Sequence, residues 1–422
     1  MKAVILAGGK GTRIACVRAD LPKPMLPLGG KSVLERQIET LKENGVEDFT
    51  IVTGYLADEI EQYFGGGEKL GVHITYYRET EPLGTAGALL RMSFEDDFLL
   101  SGGDLVFDFD LSRMLAFHKQ KNALATLFAH PNSHPYDSTL IVSDADGRVT
   151  GFLAKENKKP EYYENLCNAG IQIISPALLA MCDKRGKADL DSDVITPAVV
   201  TGRIYAYRSA EYVRDMGTPE RYARAERDLV AGTVRAGNMK NKRPAVFLDR
   251  DGTINVFKGL ISRPEQIELI DGAAQAIRRI NEAGMPVVII TNQPVIARGD
   301  CTLEELRQIF NKLETLLGEE GAYLDAICFC PHHPDDGFPG ERKEFKIECE
   351  CRKPKPGMLL RAAEEMNLDL SRSYMVGDHA KDVEAGRRAG CIPVFVRTGI
   401  QMPDPEGCLV YDDLISFVRD KF

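Results

Sequence analysis

The chain has 422 residues, 44% of them apolar and 27% charged, the balance of a folded protein of two or three domains rather than a disordered or fibrous one. Acidic side chains number 63 against 53 basic ones, and the resulting net charge of −10 argues against nucleic acid as a partner. No apolar run reaches the roughly 18 residues of a membrane span, and ten cysteines in so long a chain do not suit a disulfide scaffold, so a cytoplasmic protein with no membrane partner is expected.

In chain order, Ala3-Val4-Ile5-Leu6-Ala7 reads as a strand that stops at Gly8-Gly9-Lys10-Gly11. Leu34, Ile38 and Leu41 form one face of a helix, which Ser32 and Glu35 open in a capping-box pattern and Gly45 ends. Phe49-Thr50-Ile51-Val52 is the next strand. The stretch 233–243 has small and basic residues and almost nothing to bury, and reads as a linker. Beyond it the alternation resumes with Val246-Phe247-Leu248, a helix around Ile277 and Ile280, and the β-rich run from Pro286 to Ile290. A further helix has Thr302 and Glu305 as its capping box and Leu306, Ile309, Phe310, Leu313 and Leu317 as its apolar face. Two α/β domains are expected, residues 1–232 and 244–422, each Rossmann-like.

In the first domain, Gly8-Gly9-Lys10-Gly11-Thr12-Arg13 follows a strand, where small residues let backbone N–H groups approach a phosphate. Ile14 and Met25 stand where a dinucleotide fingerprint and a Walker A loop would need glycine, so neither motif applies. Leu21-Pro22-Lys23-Pro24-Met25 stiffens the backbone around an ammonium group that can face a triphosphate. With Glu81-Pro82-Leu83-Gly84-Thr85-Ala86-Gly87, Gly103-Asp104, Lys155, Asn168-Ala169-Gly170 and Asp215-Met216-Gly217-Thr218 following in order, residues 1–232 resemble the sugar-1-phosphate nucleotidylyltransferases. The resemblance implies a GT-A-like mixed sheet and a nucleotide site of Leu6, Gly8, Gly9, Gly11, Thr12, Arg13, Lys23, Gly84 and Thr85. Arg13 and Lys23 would neutralise the phosphates as pyrophosphate departs. Asp104 and Asp215 would share a Mg²⁺, and Lys155, Asn168 and Gly170 would hold the sugar phosphate. The Leu-Gly-Thr-Ala-Gly segment is similar to the branch that uses GTP, with a carboxylate such as Glu81 available to the base.

In the second domain, the strand ending at Leu248 leads into Asp249-Arg250-Asp251-Gly252-Thr253. Period-two alternation can place both carboxylates on one side, one as nucleophile and one as proton donor, with a cation offsetting their repulsion. Asp378, in Met375-Val376-Gly377-Asp378, is a third hard oxygen ligand for Mg²⁺ beside Asp249 and Asp251, and Asp382 lies one helical turn beyond it. Cys330-Pro331-His332 and Cys349-Glu350-Cys351 offer three thiolates and an imidazole, the composition of a closed structural Zn²⁺ site, while Cys328 reads as core. With Thr291-Asn292 and Lys353 in family order, this half resembles the haloacid-dehalogenase phosphatases, a parallel-sheet fold with a zinc loop in the heptose-bisphosphate and histidinol-phosphate branches. The resemblance makes Asp249 the nucleophile and Asp251 the acid/base. Thr291, Asn292, Arg352 and Lys353 become phosphate-binding groups, and Arg298 would hold a remote phosphate.

Taken together, the two resemblances imply consecutive steps. A heptose 1,7-bisphosphate would lose its 7-phosphate, and the 1-phosphate left would be activated with GTP, downstream of a separate sugar kinase. A hexose 1-phosphate transferase fused to a phosphatase of another small ester, such as histidinol phosphate, is the alternative.

Overall fold

A computed structural model describes residues 1–9 and 20–422, so Gly11, Thr12 and Arg13 of the expected nucleotide loop lie outside the described residues. The chain forms two units. The first comprises Met1–Ala129, Ile141–Phe152 and Asn168–Lys240, the second His130–Leu140, Leu153–Cys167 and Asn241–Phe422.

The first unit is built on a nine-stranded mixed sheet, whose main path runs Val149–Leu153, Leu140–Ser143, Cys167–Ile174, Phe98–Gly102, Lys2–Leu6, Asp48–Thr53, His73–Arg78. Lys2–Leu6 pairs in parallel with strands on both sides, so Ala3, Val4 and Ile5 are wholly buried, as a run without polar alternation requires. The expected helix spans Val33–Glu43 and buries Leu34, Ile38 and Leu41. Ser32 accepts the Glu35 N–H at 3.1 Å, but Glu35 accepts from Tyr63 instead of closing the capping box.

The second unit holds a six-stranded, wholly parallel sheet ordered Ala326–Cys330, Val287–Asn292, Val246–Leu248, Tyr374–Gly377, Ile392–Val396, Leu409–Tyr411. Successive strand residues serve opposite cores: Val246, Leu248, Val287 and Ile289 pack on one face, and Ala245, Phe247, Val288 and Ile290 on the other. The helix Leu303–Glu319 buries the five apolar residues named above, and Thr302 and Glu305 close a full capping box. No helix among the described residues is long and apolar enough to cross a membrane.

The observed division differs from the expected cut at 233–243 in two ways. Residues 130–140 and 153–167 belong to the second unit, where the Tyr163 N–H donates to Thr315 Oγ1 at 3.0 Å and the Asn165 N–H to Glu314 Oε2 at 3.2 Å. The supposed linker is instead packed as far as Lys240. Thr233–Ala236 is a helical turn, Val234, Asn238 and Met239 are buried, and buried Glu211 accepts the N–H groups of Asp110 and Met239 at 2.7 and 2.8 Å. A few apolar and amide groups sufficed because their partners lie far back in the chain. Glu211→Ala orphans those donors and the Ser209 hydroxyl, and should destabilise the first unit by about 2–3 kcal/mol, seen as a lower urea midpoint.

Candidate active sites

In the first unit, Asp104 sits in the turn between Phe98–Gly102 and Leu105–Asp108. Buried Gln37 donates to the carbonyls of Gly102 and Leu105, and the Gly103 N–H to Leu6, which pins that turn to the end of the first strand. The strand Tyr212–Asp215 pairs antiparallel with Leu105–Asp108, so Asp215 arrives opposite Leu105 and the Met216 N–H bonds the Asp104 carbonyl. Lys23, on a short 3₁₀ turn between two prolines, donates to Asp104. Thr218 caps the helix Pro219–Val230, which returns Arg221 Nη1 to both Asp215 oxygens at 2.9 Å. Burial pushes Asp215 up, but Arg221, the Gly217 N–H and Lys23 outweigh it and hold the carboxyl below its usual range. Two carboxylates and Lys23 thus converge, as expected of a cation-assisted phosphate site.

The remaining sugar and nucleotide candidates are spread out. Thr85 is engaged with Asp189 Oδ2 and the Leu190 N–H at 3.0 and 2.7 Å, and the Gly84 backbone has a positive φ of 78°. Asn168 accepts from the Gly170 N–H and donates to Asp191, whose carboxyl is pushed up to about 6 by burial and by Asp189. Lys155, in the second unit, is exposed and lies 3.9 Å from its neighbour Glu156. Beside the Gly8 loop lies a carboxylate that sequence reasoning passed over. A Cβ on Gly8 would sit 3.0 Å from Glu79 Oε2, and Glu79 Oε1 is buried without a hydrogen-bond partner among the described residues. Burial holds Glu79 above its usual range, against the Leu83 N–H and Arg91. Glu81, the carboxylate named from sequence, is exposed and faces Arg91 at 3.6 Å.

In the second unit, Asp249 and Asp378 end the adjacent parallel strands Val246–Leu248 and Tyr374–Gly377, and Asp382 lies in the first turn of the helix Ala380–Ala389. One oxygen from each of these three buried carboxylates lies within 4.8 Å of the others. Asp251, expected among the metal ligands, is not in this group. Its carboxylate turns to Arg250, Asn255 and Gln293, and Asp382 takes its place. Lys353 Nζ is 2.7 Å from both Asp249 and Asp382 and donates to the Ile290 carbonyl at 2.6 Å. Asn292, expected to bind phosphate, instead grips the Lys353 peptide, accepting its N–H and donating to its carbonyl at 3.0 Å each. Thr291 is buried and accepts from Gln293, and Arg298 stacks on Phe338 at 4.1 Å. Gly252 adopts a positive φ of 82° where a Cβ would strike Asp378 Oδ2, so only glycine lets the loop close on that carboxylate.

Three buried carboxylates against one ammonium leave excess negative charge. Burial, then Asp249 and Asp382, push Asp378 up to about 7. Hard oxygen donors in that electrostatic state fit Mg²⁺. The soft-donor site fits Zn²⁺ equally well. Cys330, His332, Cys349 and Cys351 place their Sγ and Nδ1 atoms 3.2–3.6 Å apart, near the edges of about 3.5–3.8 Å that Zn–S and Zn–N bond lengths imply, and too far apart for disulfides. Arg352 donates to the His332 carbonyl at 3.1 Å, and Cys328 is core, as expected.

Asp378 retains a proton in the folded state up to about pH 7, whereas an unfolded aspartate loses it near pH 4, so the metal-free chain loses stability as pH rises between those values. Mg²⁺ relieves that penalty, and its increment in thermal midpoint should be larger at pH 8 than at pH 5. Equal increments in a scanning fluorimetry series would contradict the assignment.

The nucleotidyl transferase family profile matches residues 2–232, and a HAD-hydrolase-like profile matches residues 350–414. A D-glycero-beta-D-manno-heptose-1,7-bisphosphate 7-phosphatase of Yersinia pestis is 46% identical over 162 residues, 38% of this chain and 84% of the relative. Its namesake from Escherichia coli K12 is 42% identical over 83% of its length and 38% of this chain. Among solved structures, HddC from Yersinia pseudotuberculosis is 26% identical, covering 54% of this chain and 99% of its own, with a TM-score of 0.46. The chain therefore belongs to the nucleotidyl transferase family over its first half and to the HAD-like phosphatases over its second, and carries both transferase and phosphatase activity.

Proposed function

We propose that the chain hydrolyses the 7-phosphate of D-glycero-D-manno-heptose 1,7-bisphosphate and then transfers GMP from GTP to the resulting heptose 1-phosphate, giving GDP-heptose and pyrophosphate. The observation that carries this reading is the pairing, in one chain, of a nucleotidyl transferase with a half 46% identical to a heptose-bisphosphate 7-phosphatase. Hydrolysis at C7 leaves the sugar 1-phosphate that such a transferase consumes. The reading places the reactions in the cytoplasm, after a kinase that supplies the 1-phosphate.

In the phosphatase step, an Asp249 oxygen attacks phosphorus, the bond to the C7 oxygen breaks, and Asp251 passes its proton to that oxygen. Water then attacks the aspartyl phosphate, gives its proton to Asp251 and releases inorganic phosphate. Lys353 and Thr291 hold phosphoryl oxygens, Arg298 the remote phosphate, and Arg352 anchors the loop before Lys353. Mg²⁺ on Asp249, Asp378 and Asp382 would neutralise charge on the phosphoryl group. Zinc on Cys330, His332, Cys349 and Cys351 would serve structure alone.

In the transferase step, a heptose 1-phosphate oxygen attacks the α-phosphorus of GTP and pyrophosphate leaves. Lys23 and Arg13 offset charge on the phosphates, and Asn168 meets the sugar phosphate. Asp104 and Asp215 would hold Mg²⁺, which would offset charge on the phosphates. The Glu79 carboxylate, beside the Gly8 loop and with an oxygen that has no partner among the described residues, supports guanine as the base, since N1–H and the N2 amino group can both donate to one carboxylate. Adenine presents an acceptor at N1, which the same carboxylate repels.

Incubation with α- or β-heptose 1,7-bisphosphate, Mg²⁺ and each nucleoside triphosphate should give phosphate, pyrophosphate and a GDP-heptose mass. Asp249→Asn should abolish phosphate release while transfer to supplied heptose 1-phosphate persists, and Asp104→Asn should do the converse, each by at least about 10²-fold. Phosphate without a nucleotide sugar would replace heptose by another sugar 1-phosphate in the transferase half. Glu79→Gln should erode the preference for GTP over ATP in kcat/KM by roughly tenfold or more, and unchanged preference would remove Glu79 from base recognition.

A further inference from the structure

Arg250 stands between the two aspartates of the phosphatase motif and is fully buried. Burying a guanidinium is costly, and an apolar residue of similar volume would fill the same space without that cost. What the guanidinium adds is directional. Its Nε lies 3.1 Å from both Asp251 oxygens and its Nη2 2.8 Å from Oδ2, a fork that fixes the plane of the carboxylate as a single hydrogen bond does not. Gln293 completes the arrangement. Its Oε1 accepts from Arg250 Nη2 at 3.1 Å, and its Nε2 donates to Asp251 Oδ2 at 3.2 Å and to Thr291 Oγ1 at 2.8 Å. Asn255 Nδ2 takes Asp251 Oδ1 at 3.0 Å. Phe310 lies 5.7 Å from the guanidinium and walls it from the far side.

We propose that Arg250 and Gln293 are positioning residues of the phosphatase step: they lock the plane of the Asp251 carboxylate and tie it to Thr291, so that Asp251 meets the oxygen that departs from phosphorus. The inference rests on Asp251 being the proton donor to that oxygen, a role it fills once it takes up a proton, because Arg250, Asn255 and Gln293 hold its carboxyl below the usual range. Neither residue touches substrate. Their effect is therefore confined to reactions in which the leaving oxygen needs a proton.

That confinement supplies the test. The sugar ester departs as a strongly basic alkoxide and needs Asp251, whereas p-nitrophenyl phosphate departs as a stable phenolate and does not. With the full-length chain loaded with Mg²⁺, Arg250→Lys, which keeps the charge but lacks the fork, and Gln293→Leu should each lower kcat/KM for heptose 1,7-bisphosphate by at least roughly tenfold more than for p-nitrophenyl phosphate. Asp251→Asn should show the same leaving-group pattern, more steeply. Equal losses on the two esters, which a general loss of structure produces, or no loss on either, overturn the proposal. Should Arg250→Lys fail to fold by circular dichroism, the same comparison on Gln293→Leu decides. A wild-type chain that hydrolyses neither ester overturns the phosphatase reading itself, and an Asp251→Asn variant insensitive to leaving group overturns the role of Asp251; both outcomes are distinguishable from a failure of Arg250 and Gln293 alone.

Discussion

The carboxylates that the two sites concentrate face cations held through backbone geometry at every position but Asp378, and the rest of the two sites is arranged around those pairs. Lys353 is the extreme case, a buried ammonium shared by Asp249 and Asp382. Two charges removed from water cost several kcal/mol each, and their attraction offsets that only when the remaining protons are also satisfied. The Ile290 carbonyl takes the third proton of Lys353, and Asn292 fixes its peptide from both sides. The ammonium cannot drift toward solvent, so it remains where a phosphoryl oxygen would need it. The same logic, in a more exposed setting, sets Lys23 on Asp104 and Arg221 on Asp215. Those pairs are weaker in stability terms because solvent screens them.

The neutralisation is incomplete by design of the chain. Asp378 accepts the Ile400 N–H at 3.1 Å but faces two carboxylate neighbours, and Gly252 and Gly399 close on it so tightly that no side chain could stand between. A divalent cation held there would supply what the protein withholds, and the charge of the carboxylates would be compensated only when it is bound. Asp251 differs in kind. Its charge is met inside the protein by Arg250, Asn255 and Gln293, which hold the carboxyl below its usual range and keep it out of the metal group.

Local signals were legible in the sequence, and signals that depend on distant partners were not. The strand and helix assignments around Ala3, Leu34, Val246 and Ile289 followed from apolar period, and the Thr302 cap from a three-residue spacing. The cluster of Cys330, His332, Cys349 and Cys351 was legible because each pair has two soft or borderline donors two residues apart. Asp382 was noticed only as a neighbour of Asp378, since nothing local says that Lys353, some thirty residues earlier, will face it. Asp251 was grouped with the metal ligands on strand alternation alone, and the buried arginine beside it redirected its side chain. Glu79 and Glu81 are indistinguishable by composition; which one turns toward the Gly8 loop depends on the register of His73–Arg78 against Asp48–Thr53. The segment 233–240 looked unburied because its partners, Glu211 and Asp108, are remote in sequence.

The cysteine cluster bears on catalysis through covalent adjacency. Cys351, Arg352 and Lys353 are consecutive, and the loop between His333 and Cys349 offers little apolar surface to hold it, with Asp335, Asp336, Gly340 and Glu344 all exposed. Ordering such a loop by packing alone would not offset its conformational entropy. Four soft donors that converge within bonding reach of one ion can do so, because metal binding free energy is available as folding free energy. The chain direction then leads from Cys351 through Arg352, tied to the His332 carbonyl, to the peptide that Asn292 grips. A metal held there would fix one end of the segment that delivers Lys353 to Asp249, and the parallel sheet, through Ile290 and Asn292, fixes the other.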